Sequence, residues 1–256
     1  MYDLHNHLLP GLDDGPQAME STLAMARMAA QDGTRVIVAT PHLKDVRERD
    51  AYGEAQAKLQ ELQRLVAEEG LNLRLCMGME SLLEPDLPQR VKEGYVYTLG
   101  ESRFILVELP FLLYPPFTDE TLFQLQLAGY TPILAHPERH NPFQRHPELL
   151  QRLVERGVMT QITAGSLLGS FNGSAKKAAE LFLQRNLVHI IASDAHSPKG
   201  HRVPTLSRGV AAAAKLVGEE KARSMVEDIP AAILAGKKVT VEPPLPEPRR
   251  RFLGLW

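Results

Sequence analysis

Histidines and carboxylates that can bind metal ions recur along the chain, each time near the end of a short apolar run. The N-terminal stretch DLHNHLLPGLDDG, residues 3–15, carries two histidines and three aspartates. The later members of the pattern, with the runs that contain them, are VIVATPH with His42, LCMGME with Glu80, FILVELP with Glu108, PILAHPER with His136, and IIASDAH with Asp194 and His196. This recurrence predicts one polar site assembled from many strands.

The spacing and chemistry of these side chains favour a metal centre. His5/His7 and Asp194/His196 are each separated by one residue, which places both members on one face of a strand. The remaining candidate ligands are His42, Glu80, Glu108, His136 and one or both of Asp13 and Asp14. Mixed oxygen and nitrogen donors suit zinc or manganese, and one ion takes about four to six of them. The set therefore predicts two or three ions with bridging carboxylates, an arrangement that serves phosphoryl hydrolysis.

Alternating strands and helices are expected to position these residues. The predicted strands after the N-terminal one are Arg35–Thr40, Asn72–Gly78, Phe104–Leu109, Thr131–Ala135, Met159–Ala164 and Val188–Ser193. The predicted helices are Gln17–Gln31, Arg49–Glu69, Asp119–Ala128, Pro147–Arg156, Ser174–Arg185 and Thr205–Leu216, with Ser174 as an N-cap. This alternation indicates an α/β fold with a parallel sheet or barrel, in which side chains at the carboxyl ends of the strands converge.

Composition narrows the class of protein. A chain of 256 residues with 44% hydrophobic and 23% charged residues is typical of one globular domain. The net charge of −2 argues against a nucleic-acid partner. A single cysteine, no signal peptide and no apolar run of about 18 residues predict a cytoplasmic protein without membrane insertion. We expect a domain over residues 1–240 and a Pro/Arg-rich tail over 241–256 that includes Arg249–Arg251.

The motifs resemble those of the polymerase-and-histidinol-phosphatase (PHP) superfamily. They are HNH at the start, TPH at His42, GME at Glu80, AHPER at His136 and SDAH near the end. Within the superfamily, the sequence is most similar to bacterial protein-tyrosine phosphatases of capsule and exopolysaccharide control, over residue 2 to about residue 235. The resemblance implies a distorted (β/α)7 TIM-like barrel with the metal site at the C-terminal ends of the strands.

The resemblance also implies three divalent ions, with manganese favoured over zinc, iron or cobalt. One ion takes His5, His7, Glu80 and Asp194; a second shares Glu80 and adds Glu108 and His136; the third takes Asp14, His42 and His196, with Asp13 as the alternative to Asp14. Arg139 and Arg202 match positions that hold the phosphate. The implied reaction is hydrolysis of phosphotyrosine by metal-activated hydroxide, with a bacterial tyrosine autokinase as substrate.

The sequence is also compatible with other activities. They are a small-molecule phosphatase such as histidinol-phosphate phosphatase, a PHP-type 3′ exonuclease, and a metal-binding regulatory module without catalysis. Cys76 is excluded as the nucleophile of a Cys-x5-Arg phosphatase, because the sixth residue after it is Leu82. The sequence leaves the oligomeric state undetermined.

Overall fold

Short buried strands alternate with helices in the computed structural model, which describes residues 1–245. The strands are β1 Tyr2–Asn6, β2 Val36–Ala39, β3 Arg74–Met77, β4 Glu80–Leu82, β5 Phe104–Glu108, β6 Thr131–Ala135, β7 Met159–Thr163 and β8 Ile190–Ala192. All pairings between them are parallel. The α/β fold with parallel strands is thus confirmed.

Helices cover the strands and explain why several strands are apolar on both faces. They are α1 Met19–Gln31, α2 Leu43–Glu48, α3 Tyr52–Glu68, α4 Leu87–Lys92, α5 Thr118–Leu127, α6 Asn141–Arg145, α7 Pro147–Glu155, α8 Ala164–Leu167, α9 Gly173–Gln184, α10 Ser207–Val217, α11 Glu219–Ser224 and α12 Asp228–Leu234. In α3, for example, Leu59, Leu62 and Val66 form the buried stripe. None of the helices in residues 1–245 has the length and apolar character to cross a membrane.

The strands form two sheets, ordered β1-β2-β3 and β4-β5-β6-β7-β8. Single bridges, Asn6 with Ala195 and His42 with Glu80, connect the sheets at both junctions. Continuous ladders around a closed barrel are therefore not shown in the described part of the chain. The interior is nevertheless shared, because one apolar cluster takes residues from strands of both sheets: Leu4, Val38, Phe104, Leu106, Ile133, Ala135, Met159 and Ile190.

Strand β4, which the sequence pattern did not predict, gives Glu80 a different position from the expected one. The sequence places Glu80 at the end of the third strand, whereas it is the first residue of β4. Gly78 separates the two strands at a crowded point, where an added Cβ would lie 2.8 Å from side-chain atoms of both Val38 and Leu99. The chain leaves the first sheet there and begins the second.

The helices differ from the predictions at one N-cap and in six short helices. The N-cap of α9 is Asn172, whose side chain accepts a hydrogen bond from the Ala175 amide at 2.7 Å, so the Ser174 prediction is wrong. The short helices α2, α4, α6, α8, α11 and α12 were not predicted. They are four to seven residues long, which is too short to show a repeated apolar period.

Candidate metal centre

Glu80 lies at the centre of the polar cluster. Its side chain is buried, with 1% of its surface exposed, and its carboxylate contacts four imidazoles. Oε2 lies 3.2 Å from Nε2 of His5, 3.2 Å from Nε2 of His7 and 3.1 Å from Nδ1 of His42. Oε1 lies 2.8 Å from Nε2 of His136. A carboxylate in this position can bridge two cations.

The histidines from β1 and the loop after it are oriented by two further side chains. Nδ1 of His5 lies 2.8 Å from Oε1 of Gln161, and Nδ1 of His7 lies 2.7 Å from Oδ2 of Asp13. Each partner can accept a hydrogen bond from Nδ1–H, which leaves Nε2 unprotonated and available on the side of Glu80. Both histidines are thus set up to use Nε2 toward a shared point.

A second group of donors lies beside the first. Nε2 of His196 and Nε2 of His42 lie 3.0 Å and 3.5 Å from Oδ1 of Asp14. Donor atoms of these three residues and His7 all lie within 4.8 Å of one another. The structure therefore brings Asp14 into this group, while Asp13 contacts His7 and the backbone amide of His42.

Glu108 and His136 complete the set from β5 and the end of β6. Nε2 of His136 lies 3.7 Å from Oε1 of Glu108. Donor atoms of His42, Glu80 and Glu108 form a further group within 4.8 Å. Glu108 follows Leu106 by two residues on β5, so the period of the strand places it directly above the shared apolar interior.

Two candidate ligands have unusual backbone conformations. His136 has φ of 34° and Asp194 has φ of 50°, both in the left-handed region that non-glycine residues rarely adopt. Such conformations cost roughly 1–3 kcal/mol each and concentrate at functional sites. They turn the chain as β6 and β8 end, which directs these two side chains into the cluster.

Two arginines converge on Asp194. Nη1 of Arg139 lies 2.5 Å from Oδ2, and Nη2 of Arg202 lies 2.9 Å from Oδ1. Nη1 of Arg202 also lies 3.4 Å from Oδ2 of Asp14. Glu138 does not pair with Arg139; its buried carboxylate accepts hydrogen bonds from Ser166 and the Thr163 amide. Both arginines therefore adjoin the donor cluster.

The electrostatics of the cluster favour ionised carboxylates at its centre. Burial raises the pKa of Glu80, but His5, His136 and His7 outweigh it and hold the pKa well below its ordinary value. Burial likewise raises the pKa of Asp194, and His5, Arg202 and Arg139 bring it below the ordinary range. Glu108 differs, because burial and the nearby Glu80 carboxylate raise its pKa to about 7.

All nine residues predicted as ligands lie in one connected network, with each donor atom within 4 Å of another member's. Arg139 and Arg202 lie beside it. Sequence reasoning missed Gln161 and the orienting role of Asp13. The signal for Gln161 was available, because it is a polar residue within the buried strand sequence MTQIT.

The donor set fits divalent metal ions. It consists of imidazole nitrogens and carboxylate oxygens, the ligands that zinc and manganese take in proteins. Ligand bonds of about 2.0–2.2 Å place the donors of one ion about 3–4.5 Å apart, and the three groups within 4.8 Å approach that spacing. Six of the nine side chains are buried, His42 and Glu108 are partly buried, and Asp14 is exposed. An unpaired cluster of charges would be costly in such an interior.

Comparisons with known proteins agree with this geometry. The chain matches the family model described as capsular polysaccharide synthesis, CpsB/CapC, over residues 1–235. Tyrosine-protein phosphatase YwqE of Bacillus subtilis (strain 168) is 32% identical over 256 residues, 100% of each chain. Tyrosine-protein phosphatase CpsB of Streptococcus pneumoniae is 28% identical over 243 residues, 91% of this chain and 98% of the relative.

A solved structure extends the similarity to three dimensions. It comes from work on YwqE of Bacillus subtilis and CpsB of Streptococcus pneumoniae, characterised there as unique metal-dependent tyrosine phosphatases. The match has a TM-score of 0.87 and 32% sequence identity, and covers 97% of this chain and 100% of the other. With the family model matching residues 1–235, this chain belongs to the CpsB/CapC family of capsular polysaccharide synthesis.

Proposed function

We propose that this chain is a metal-dependent protein-tyrosine phosphatase. The observation that carries the proposal is the single network formed by the nine nitrogen and oxygen donors with Arg139 and Arg202 beside it. The names of the relatives YwqE and CpsB support the same activity. A cluster of divalent cations with adjacent arginines is suited to transfer of a phosphoryl group to water.

The proposed occupants are three divalent cations, with manganese as the first choice and zinc, iron or cobalt as alternatives. His5, His7, Glu80 and Asp194 would hold one; Glu80, Glu108 and His136 a second; and Asp14, His42 and His196 the third. The contacts of Glu80 with four imidazoles support its role as the shared ligand. When bound, the cations supply Lewis acidity toward the phosphoryl group and toward water.

The chain's own residues bind and orient the phosphate. Arg139 and Arg202 present planar guanidinium groups that can donate two hydrogen bonds to phosphate oxygens. Their contacts with Asp194 fix both groups at the edge of the cluster. Tyrosyl phenolate, with a pKa near 10, is a fair leaving group and makes little demand for a general acid.

The proposed substrate is phosphotyrosine in a protein, specifically a bacterial tyrosine autokinase that controls capsule or exopolysaccharide synthesis. The family description and the absence of a strongly basic composition support a protein partner over nucleic acid. We also propose that the protein acts in the cytoplasm.

We further propose that the two sheets act as one distorted (β/α)7 barrel within a domain of residues 1–240. The bridges at Asn6 and His42 and the shared apolar interior support it. Of the tail predicted over 241–256, residues 241–245 are described, and the Leu245 amide donates to the Arg185 carbonyl at 2.9 Å. Arg249–Arg251 lie outside the described residues.

A comparison of substrates tests the activity. Phosphotyrosine peptide, histidinol phosphate and single-stranded DNA are offered to the purified chain with added manganese, and phosphate or nucleotide release is measured. We expect the phosphotyrosine peptide to give the highest kcat/KM. Preference for histidinol phosphate would assign a small-molecule phosphatase instead, and shortening of the DNA would assign an exonuclease.

A further inference from the structure

Two phenylalanines enclose the Arg139 guanidinium on the outer side of the metal centre. Cζ of Arg139 lies 5.0 Å from the ring centroid of Phe111 and 4.4 Å from that of Phe171. Phe111 comes from the loop after β5, and Phe171 from the loop before α9. A phenylalanine side chain has no donor atom for a metal ion. Metal binding therefore does not explain why two aromatic rings lie beside Arg139.

The loop after β5 holds Phe111 in a defined position. The Asn141 amide donates to the Phe111 carbonyl at 2.9 Å, which ties this loop to the segment that carries Arg139. The Phe111 ring stacks on His136 with centroids 5.6 Å apart, and it lies 5.0 Å from the His140 ring. The ring is therefore fixed against a candidate ligand on one side.

The opposite side of this arrangement is open. Phe111 keeps 38% of its surface exposed, while its neighbours Leu112 and Leu113 are 73% and 65% exposed. Three consecutive apolar side chains with this exposure, next to a buried charged cluster, are not required by the core. They offer an apolar surface that begins at Phe111, beside the Arg139 guanidinium.

We propose that Phe111 and Phe171 form the subsite for the phenyl ring of the substrate and select aryl phosphates over alkyl phosphates. The inference rests on the proposed function and names residues that would determine its specificity. A phosphate bound at Arg139 has its ester group within reach of the rings that flank this guanidinium. An aromatic leaving group can stack on them, whereas the short side chain of phosphoserine cannot.

Binding of two phosphonates measures the contribution of the phenyl ring to affinity separately from catalysis. Phenylphosphonate and methylphosphonate share the anionic group and differ in the ring, and neither is hydrolysed. Their dissociation constants are measured by calorimetry on the manganese-loaded chain for the wild type and for Phe111→Ala, Phe111→Leu, Phe111→Tyr and Phe171→Ala. Phe123→Ala is the matched control, because Phe123 is a 52% exposed ring on α5.

We expect wild-type protein to bind phenylphosphonate more tightly than methylphosphonate. Phe111→Ala should reduce that preference about tenfold, the range expected for loss of one aromatic contact and its buried area. Phe171→Ala should reduce it in the same direction, Phe111→Leu should restore it only in part, and Phe111→Tyr and Phe123→Ala should retain it.

Two results would overturn the inference. One is an unchanged preference in both Phe111→Ala and Phe171→Ala. The other is an equal loss for both phosphonates, which would mean that the rings only support Arg139 or the metal ligands. Failure of the proposed function is recognised separately, since it is the absence of phosphotyrosine hydrolysis by the wild type, whereas phosphonate binding is measured without turnover.

Discussion

Oδ2 of Asp13 accepts a hydrogen bond from Nδ1 of His7 at 2.7 Å and another from the backbone amide of His42 at 3.1 Å. One carboxylate thus orients two candidate ligands from different segments. Its neighbour Asp14 instead joins the donor group with His42 and His196. The two adjacent aspartates therefore have different expected roles, orientation for Asp13 and ligation for Asp14.

Asp13→Ala should weaken metal binding without abolishing it. Loss of a group that orients a metal-bound histidine typically costs about 10- to 100-fold in metal affinity. Asp14→Ala should instead remove one ion from the stoichiometry, because it deletes a donor. Metal content by elemental analysis and affinity by calorimetry separate these results, and Asp13→Ala protein with wild-type affinity would contradict the orienting role.

Activity should depend on metal and not on the thiol. Thorough chelation should abolish hydrolysis of a phosphotyrosine peptide and manganese should restore it, while Glu80→Ala and His136→Ala should each lower turnover by several orders of magnitude. Glu80→Ala should also reduce bound metal, since Glu80 contacts four imidazoles. Activity that survives chelation would reject the mechanism.

Cys76→Ser provides the matched control for that experiment. Cys76 is a partly buried residue of β3, and burial raises the pKa of its thiol, which disfavours the thiolate nucleophile. Turnover of Cys76→Ser should therefore remain close to that of the wild type. A loss comparable to that of Glu80→Ala would point to cysteine chemistry.

The convergence of the candidate ligands could be predicted from sequence because parallel strands bring their carboxyl ends together. His42, His136 and Asp194 each follow an apolar run, so their convergence required only the order of strands and helices. The resemblance supplied the proposed grouping of the ligands, with Asp14 as the first choice and Asp13 as its alternative.

The contacts that orient these ligands could not be predicted in the same way. Gln161 approaches His5 across 156 positions of sequence, and Phe111 approaches Arg139 only after two loops pack together. The start of β4 at Glu80 depends on the crowding at Gly78, which is a tertiary effect. The left-handed backbone at His136 and Asp194 could not be assigned from residue type, because His and Asp are only enriched in this region and most residues of either type lie outside it.

His189 should make stability fall in mildly acidic solution. It is buried, and its Nδ1 accepts a hydrogen bond from the Thr160 amide at 3.0 Å. Burial, with a smaller effect of Lys221, lowers its pKa to about 4. In the unfolded chain the pKa of this histidine is near 6.5, so the unfolded state binds a proton first as pH falls. The free energy of unfolding therefore decreases between about pH 6.5 and about pH 4, by up to about 3 kcal/mol.

Denaturant unfolding of the wild type and His189→Asn across pH 4 to 7 measures this effect, since asparagine keeps an acceptor without a titrating ring. The difference in unfolding free energy between the two proteins should change with pH in the stated direction. The same substitution at His146, whose side chain is 61% exposed, should leave the wild-type profile unchanged. Parallel profiles for wild type and His189→Asn would show that His189 does not titrate on unfolding.

Arg139→Ala should lower turnover by about 100-fold or more, in line with about 3 kcal/mol for one lost transition-state donor. Arg139→Lys should recover only part of this, because an ammonium group cannot hold two oxygens in a planar fork. Arg145→Ala is the control, because Arg145 lies exposed on α6. Kinetics on a phosphotyrosine peptide and metal content are measured on the same samples.

The contact of Arg139 with Asp194 makes the metal measurement decisive. If Arg139 acts on the phosphate, Arg139→Ala keeps its full complement of metal and loses turnover. If it serves only to neutralise Asp194 and fix the loop after β6, the variant loses metal or stability, and turnover per metal-loaded molecule stays near the wild-type value. Full metal content, wild-type turnover and an unchanged free energy of unfolding together would leave Arg139 with neither role, since each role requires a loss in one of these measurements.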